Sequence, residues 1–324
     1  MRHKSPTNPL APRGVLVSAY AASPAHGSWD PVLEEELLRG LCALPDVVGL
    51  EIPWLGALHP HDNAWFLHNV PAGAQLSLTA LPFVMKRCRE APHYGIASPD
   101  RAGRAAALAD LRRLAADVRV LTEQSDADVA VVSLHTAPAG VADAAALAES
   151  LAELTDLDWH GAQLVIEHCD TVSPGRPFEK GFLPVADEIA VAAQSGASIG
   201  MWVNWGRSAI ELRSADSVTS QIIAVAASGL LTGLTFSGAS AADGPYGDAW
   251  SDAHLPVLSA DPASGSLLDD AHVLAALSAA ADVEWLGVKV SRRPHDRTAA
   301  DIVRTVESNL TAIRNGRTAR EVTA

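Results

Sequence analysis

The sequence predicts a single closed (β/α)8 barrel, a TIM barrel. Short apolar runs, often β-branched, alternate with amphipathic helical stretches from one end of the chain to the other. Eight such runs occur, which suits a closed parallel ring better than an open sheet. The chain has 324 residues, 48% of them hydrophobic, enough to fill one large core.

The strand candidates, in order, are Gly14–Ala19, Val47–Ile52, Gln75–Ala80, Val129–Leu134, Gln163–Ile166, Ser198–Val203, Thr232–Phe236 and Glu284–Val290. Asp30-Pro31 opens the first helix with an N-cap and a first-turn proline ahead of VLEEELLRGLCAL. After the second strand only Asn63–His68 reads as helical. Ser98-Pro99-Asp100 opens the longest helix, which runs to about Glu123. The remaining helices are expected at Asp143–Leu154, Leu183–Gln194, Ser217–Leu230, Asp269–Ala281 and Ala299–Arg314.

The ends read as tails. Met1 to Arg13 carries Arg2, His3, Lys4 and three prolines but no apolar stretch, so a disordered tail is expected rather than a signal peptide. The barrel is expected over 14–316, with a C-terminal tail over 317–324. No linker or internal repeat beyond the βα unit is visible.

Twenty-four Lys and Arg against 38 Asp and Glu give a net charge of −14, which excludes nucleic acid and anionic membrane as bulk partners. No apolar run reaches transmembrane length. The three cysteines, Cys42, Cys88 and Cys169, are odd in number and widely spaced, which points to a reducing compartment, the cytoplasm. Neither GxGxxG nor GxxxxGK[ST] occurs, so no nucleotide cofactor is expected.

In such a barrel the chemistry sits where strands end at the C-terminal mouth. Strand one runs into Ser18 and Tyr20. Strand two carries Glu51 in LEIPW, a carboxylate among apolar neighbours that needs either a partner or a task. Strand four ends in Leu134-His135-Thr136, and strand five in Glu167-His168-Cys169-Asp170. Glu167 is suited to general base, proton donor, metal ligand or nucleophile, or to an inert buried ion pair. His168 suits packing behind a site, and Cys169 a small buried hydrophobe.

Strand six leads into Trp202-Val203-Asn204-Trp205-Gly206-Arg207. Indoles stack on sugar faces and a guanidinium pairs with carboxylate or phosphate, so a small polyhydroxylated or anionic ligand is expected. Core-filling tryptophans and a helix-capping Arg207 account for the same residues. The long stretch from Ser237 to Asp261 contains Asp252 and His254 and reads as a functional loop. Strand eight delivers Lys289, suited to an ion pair with Glu167, an anion, or a Schiff base. Arg176 and Glu179-Lys180-Gly181-Phe182 read as a lid or as solvated surface.

The order of these residues resembles the xylose isomerase-like barrels, which include sugar isomerases, ketose epimerases and apurinic endonucleases. VVSLHTAPAG is similar to the strand end bearing a metal-binding histidine, here His135. LVIEH is similar to the one bearing a central metal-binding glutamate, here Glu167. SDAHLPV is similar to a late Asp-x-His segment, here Asp252 and His254. VSAYAASP, LEIPW, EHCD, EKGFLP and FSGAS resemble a bacterial family known as domain of unknown function 4862.

The resemblance implies a metal, yet Asn204, Arg207 and Lys289 stand where metal-using relatives offer Asp, His and Glu. An ammonium in place of a bridging carboxylate adds repulsion on the order of several kcal/mol. A two-metal site is therefore not expected, while a single divalent metal on His135, Glu167 and His254 stays open.

The leading functional expectation is a sugar or sugar-acid isomerase or epimerase. Glu167 would be its acid/base, and His135, Arg207 or Lys289 would stabilise an enediolate. Tyr20, Trp202, Asn204, Trp205, Arg207, Asp252 and His254 would bind substrate. The alternatives are a glycosidase or lyase using Glu51 and Glu167, a non-catalytic ligand-binding barrel, and a Schiff-base aldolase using Lys289. A homodimer is expected by analogy with this group of barrels.

Overall fold

The structure, a computed structural model, describes residues 14–23, 28–196, 199–280 and 283–323. The tail expected over 1–13 lies outside the described residues. Eight strands run parallel: β1 (Val15–Ser18), β2 (Val47–Pro53), β3 (Gln75–Thr79), β4 (Asp128–Leu134), β5 (Gln163–Glu167), β6 (Gly200–Asn204), β7 (Leu231–Phe236) and β8 (Trp285–Val288). They close in chain order, with β8 pairing back onto β1.

Outside the ring lie α1 (Ala19–Ala22), α2 (Pro31–Cys42), α3 (Asn63–Asn69), α4 (Leu81–Glu90), α5 (Arg101–Gln124) and α6 (Ala144–Thr155). They are followed by α7 (Val185–Gln194), α8 (Trp205–Leu212), α9 (Ala215–Ala227), α10 (Asp270–Ala279) and α11 (Ala299–Thr323). Side-chain caps start most of them where the sequence suggests. Asp30 accepts from Val32 N and Leu33 N, Asp100 from Gly103 N, and Asp143 from Ala146 N. No helix among the described residues is long and apolar enough to cross a membrane.

Two helical features differ from expectation. α4 is not among the expected helices: Ala80 offers no capping side chain, and only Thr79 Oγ1 accepts from Leu81 N, at 3.4 Å. The C-terminal tail expected over 317–324 is helical to Thr323, because α11 does not stop at Gly316. A Cβ at 316 would lie 2.9 Å from Val273 Cγ1, so the glycine serves close packing on α10 rather than a helix end. Arg320 then donates to the Leu277 carbonyl at 2.9 Å and ties the last turns to α10.

Alternation along each strand divides the core in two. Leu50, Leu76, Val132, Leu134, Ile166, Met201, Val203, Leu234 and Val288 face the helices in the larger core. Leu16, Val131, Val165, Trp202 and Trp285 form a separate cluster inside the ring. Trp202 needs a facing glycine, since a Cβ at Gly233 would sit 2.1 Å from its ring. This apolar plug is the floor on which the polar mouth stands.

Candidate active site

Two residues beyond four of the five inner apolar side chains the inward position becomes polar. Ser18 follows Leu16, Ser133 and then His135 follow Val131, Glu167 follows Val165, and Asn204 follows Trp202. Glu51 enters at the same level, in register with Ser18 on one side and Ser77 on the other. Lys289, just past β8, is held by its backbone N–H on the Phe236 carbonyl.

Asn204 ends β6 and caps α8, accepting from Gly206 N and Arg207 N. A Cβ at Gly206 would lie 2.5 Å from the Ser237 carbonyl oxygen, so glycine is what lets α8 start against the end of β7. That close start carries Arg207, on the next residue, into the mouth.

One chain of contacts runs across the site. His135 Nε2 is 2.9 Å from Glu167 Oε2, and Arg207 Nη1 is 2.5 Å from Glu167 Oε1. Arg207 Nε donates to Asp252 Oδ2 at 3.0 Å, and Lys180 Nζ donates to the same oxygen at 2.5 Å. His254 Nδ1 lies 3.3 Å from Asp252 Oδ1 and 3.0 Å from Ser237 Oγ. A second arm pairs Lys289 Nζ with Glu51 Oε1 at 2.6 Å, and the ammonium lies 4.7 Å from the Tyr20 ring centroid.

Lys289, Arg207 and His135 are buried, whereas the side chains of Glu51, Asp252 and His254 keep 13%, 11% and 13% of their exposure. The site therefore opens along those three residues. Ser18 Oγ and Asn204 Nδ2 are buried there without a hydrogen-bond partner among the described residues. Buried polar atoms without partners are costly, and such atoms at a mouth suit a hydroxyl-bearing ligand.

Electrostatics separates the two glutamates. Burial would raise the Glu167 carboxyl, but Arg207, the hydrogen bond from His135 and Lys289 outweigh it and hold it well below the usual carboxylate range. Burial also dominates at Glu51 and leaves its carboxyl raised despite the pull of Lys289. Asp252 is held well below its ordinary value, because Arg207 and Lys180 outweigh burial.

Burial pushes His135 down and His254 down to about 3, so both imidazoles are neutral at pH 7. At Lys289 burial is outweighed by Glu51, and the amine is held above its ordinary value. An amine kept protonated is a poor nucleophile, which weighs against the Schiff-base reading.

Of the residues expected at the site, Tyr20, Glu51, His135, Glu167, Asn204, Arg207, Asp252, His254 and Lys289 come together. The two tryptophans do not. Trp202 lies one layer deeper in the apolar plug, with Nε1 on Thr235 Oγ1 at 2.8 Å. Trp205 opens α8 on the outer side of the ring, fully buried and edge-on to His272 at 5.6 Å. Neither is placed to stack on a ligand in the mouth. Lys289 pairs with Glu51, where Glu167 was one expected partner.

His168 faces outward, between Glu188 at 2.7 Å and Glu211 at 2.9 Å. Cys169 is buried, and burial pushes its thiol up, as fits an inert side chain. Lys180 and Ser237 complete the site without having been singled out as ligand-contacting. Lys180 sits in a polar loop that reads as a lid over the mouth or as solvated surface, and it is 5% exposed.

The metal set His135, Glu167 and His254 does not assemble. His135 and Glu167 bond each other, while His254 bonds Ser237 and Asp252. Among the described residues no group of three or more His, Cys, Asp or Glu is arranged to hold a metal ion. Every carboxylate of the contact chain already faces an ammonium or a guanidinium, so these donors do not fit a divalent ion.

Residues 16–305 match the family described as Domain of unknown function (DUF4862). Uncharacterized protein STM3670 of Salmonella typhimurium is 34% identical over 284 residues, covering 86% of this chain and 89% of that protein. Among solved structures, an L-ribulose 3-epimerase superposes with a TM-score of 0.61 at 16% identity, over 97% of this chain and 98% of that one. A D-psicose 3-epimerase of Clostridium cellulolyticum H10 gives 0.54 at 12% identity, over 94% and 98%. At such identities the likeness is one of fold, the xylose isomerase-like barrel.

Proposed function

The chain belongs to the DUF4862 family, and from that starting point we propose that it is a sugar or sugar-acid isomerase or epimerase working by proton transfer beside a carbonyl. The observation that carries this reading is the pair of carboxylates Glu51 and Glu167. They stand at one mouth, three strands apart in the ring, each beside a buried cation. The epimerases that share the fold add support at the level of general class.

One carboxylate takes the proton from the carbon next to the carbonyl. The C–H electron pair becomes the C=C of an enediolate, and the carbonyl π pair moves onto oxygen. The N–H groups of Lys289 and Arg207 offset that developing charge. Return of the proton to the former carbonyl carbon is isomerisation: the neighbouring hydroxyl gives up its proton as its oxygen becomes the new carbonyl, and the enediolate oxygen takes up a proton to become a hydroxyl. Delivery to the opposite face of the same carbon, by the other carboxyl in its protonated form, is epimerisation.

Glu51, with its raised proton affinity, is the better proton carrier of the two at neutral pH. Glu167 acts as acid/base when an entering substrate loosens its contact with Arg207. Ser18 Oγ and Asn204 Nδ2 bind substrate hydroxyls.

A panel of aldoses, ketoses and sugar acids followed by NMR tests this. The expected result is interconversion of one pair of isomers with no added nucleotide. Release of a cleaved sugar would favour the glycosidase or lyase reading, and turnover of nothing in the panel would count against an isomerase.

A further inference from the structure

The guanidinium of Arg207 lies between two carboxylates from different parts of the chain, Glu167 at the end of β5 and Asp252 in the loop after β7. Arg207 itself is 1% exposed, so this bridge is built into the interior and is not a surface contact. Lys180 adds a second cation at Asp252, and Lys289 sits on Glu51. Glu51, Glu167 and Asp252 thus meet Arg207, Lys180 and Lys289, three charges against three. A divalent ion shared among these carboxylates would have to compete with a buried guanidinium or ammonium at each of them.

We propose that Arg207 is the resident cation of this centre and that the centre works without a divalent metal. The guanidinium joins Glu167 to Asp252, and thereby strand end to loop, as a shared metal ion would. It also offers fixed N–H donors to an oxygen anion. Lys289 does the same for Glu51. Only the oxygen-anion role rests on the proposed reaction; the metal independence is tested by binding, without turnover.

The test titrates MnCl2 into the purified, EDTA-treated and desalted chain, with free Mn2+ read by electron paramagnetic resonance and the melting temperature recorded alongside. The wild-type chain is expected to bind no Mn2+ up to about 1 mM and to show no melting shift. Arg207→Met leaves Glu167 and Asp252 without their shared cation and is expected to bind Mn2+ at least about tenfold more tightly than wild type. If that variant does not fold, Lys289→Met provides the same comparison at Glu51. One Mn2+ per wild-type chain, bound tighter than about 100 µM, would overturn the proposal, as would a folded variant with no gain. A wild-type chain that ignores Mn2+ and also interconverts no sugar would leave this inference standing while removing the proposed function.

Discussion

Lys289 places its ammonium 2.6 Å from Glu51 Oε1, across a separation of 238 residues in sequence. The two meet only because β8 closes onto β1 and β1 lies beside β2. The proton-handling end of the proposed site is thus a product of ring closure, and its energetics are those of a buried ion pair.

Another buried ionic cluster lies behind the site, and it gives a pH-dependent prediction. Burial would lower the His168 imidazole, but Glu188 and Glu211 outweigh it and raise it from 6.5 to about 10. A raised histidine stabilises the fold fully below its unfolded value near 6.5, and that contribution is lost as pH rises through about 10. Breaking such a buried set costs about 3–5 kcal/mol. His168→Gln should lower the melting temperature at pH 7, and it should flatten the decline of stability that wild type shows between pH 7 and 10. An unchanged melting curve across that range would mean that His168 is neutral in the folded protein.

The inner plug predicts a coupling. Trp202 fills the space that a side chain at Gly233 would need. Gly233→Ala alone should therefore destabilise strongly, and less so when Trp202 is also replaced by Ala, with an interaction of about 1–3 kcal/mol in the double-mutant cycle. Trp202→Ala itself should cost about 3–5 kcal/mol. Ligand affinity should change little as long as the chain is folded. Additive effects measured by denaturant unfolding would place the Trp202 ring elsewhere.

Much of this architecture is legible in the sequence, for a physical reason. Parallel barrel strands are buried on both faces, so they read as short apolar runs, and the first polar residue past each run marks the mouth. His135, Glu167 and Lys289 are visible in that way, and Glu51 as a carboxylate among the apolar neighbours of strand two. Depth along the barrel axis is not visible: Trp202 and Asn204 share the same inward parity, but one is floor and the other is mouth. Trp205 begins a helix, so the alternation of β6 no longer governs its direction. α4 carries no capping side chain, and Gly316 imitates a stop that packing on α10 overrides. Lys180 reads as lid or solvated surface and not as a member of the contact chain, because a buried lysine in a polar loop shows its role only through its partner, Asp252, which is 72 residues away.

The proposed function has Glu51 and Glu167 exchange protons with a sugar carbon at one mouth. It is tested most directly by incubating the protein in D2O with its best sugar and following deuterium entry beside the carbonyl by NMR. Wild type is expected to incorporate deuterium at that single carbon position. Glu51→Gln and Glu167→Gln should each slow the exchange by about 100-fold or more while remaining folded. Exchange at the wild-type rate in either folded variant would contradict the role given to that carboxylate, and in both would contradict the whole account.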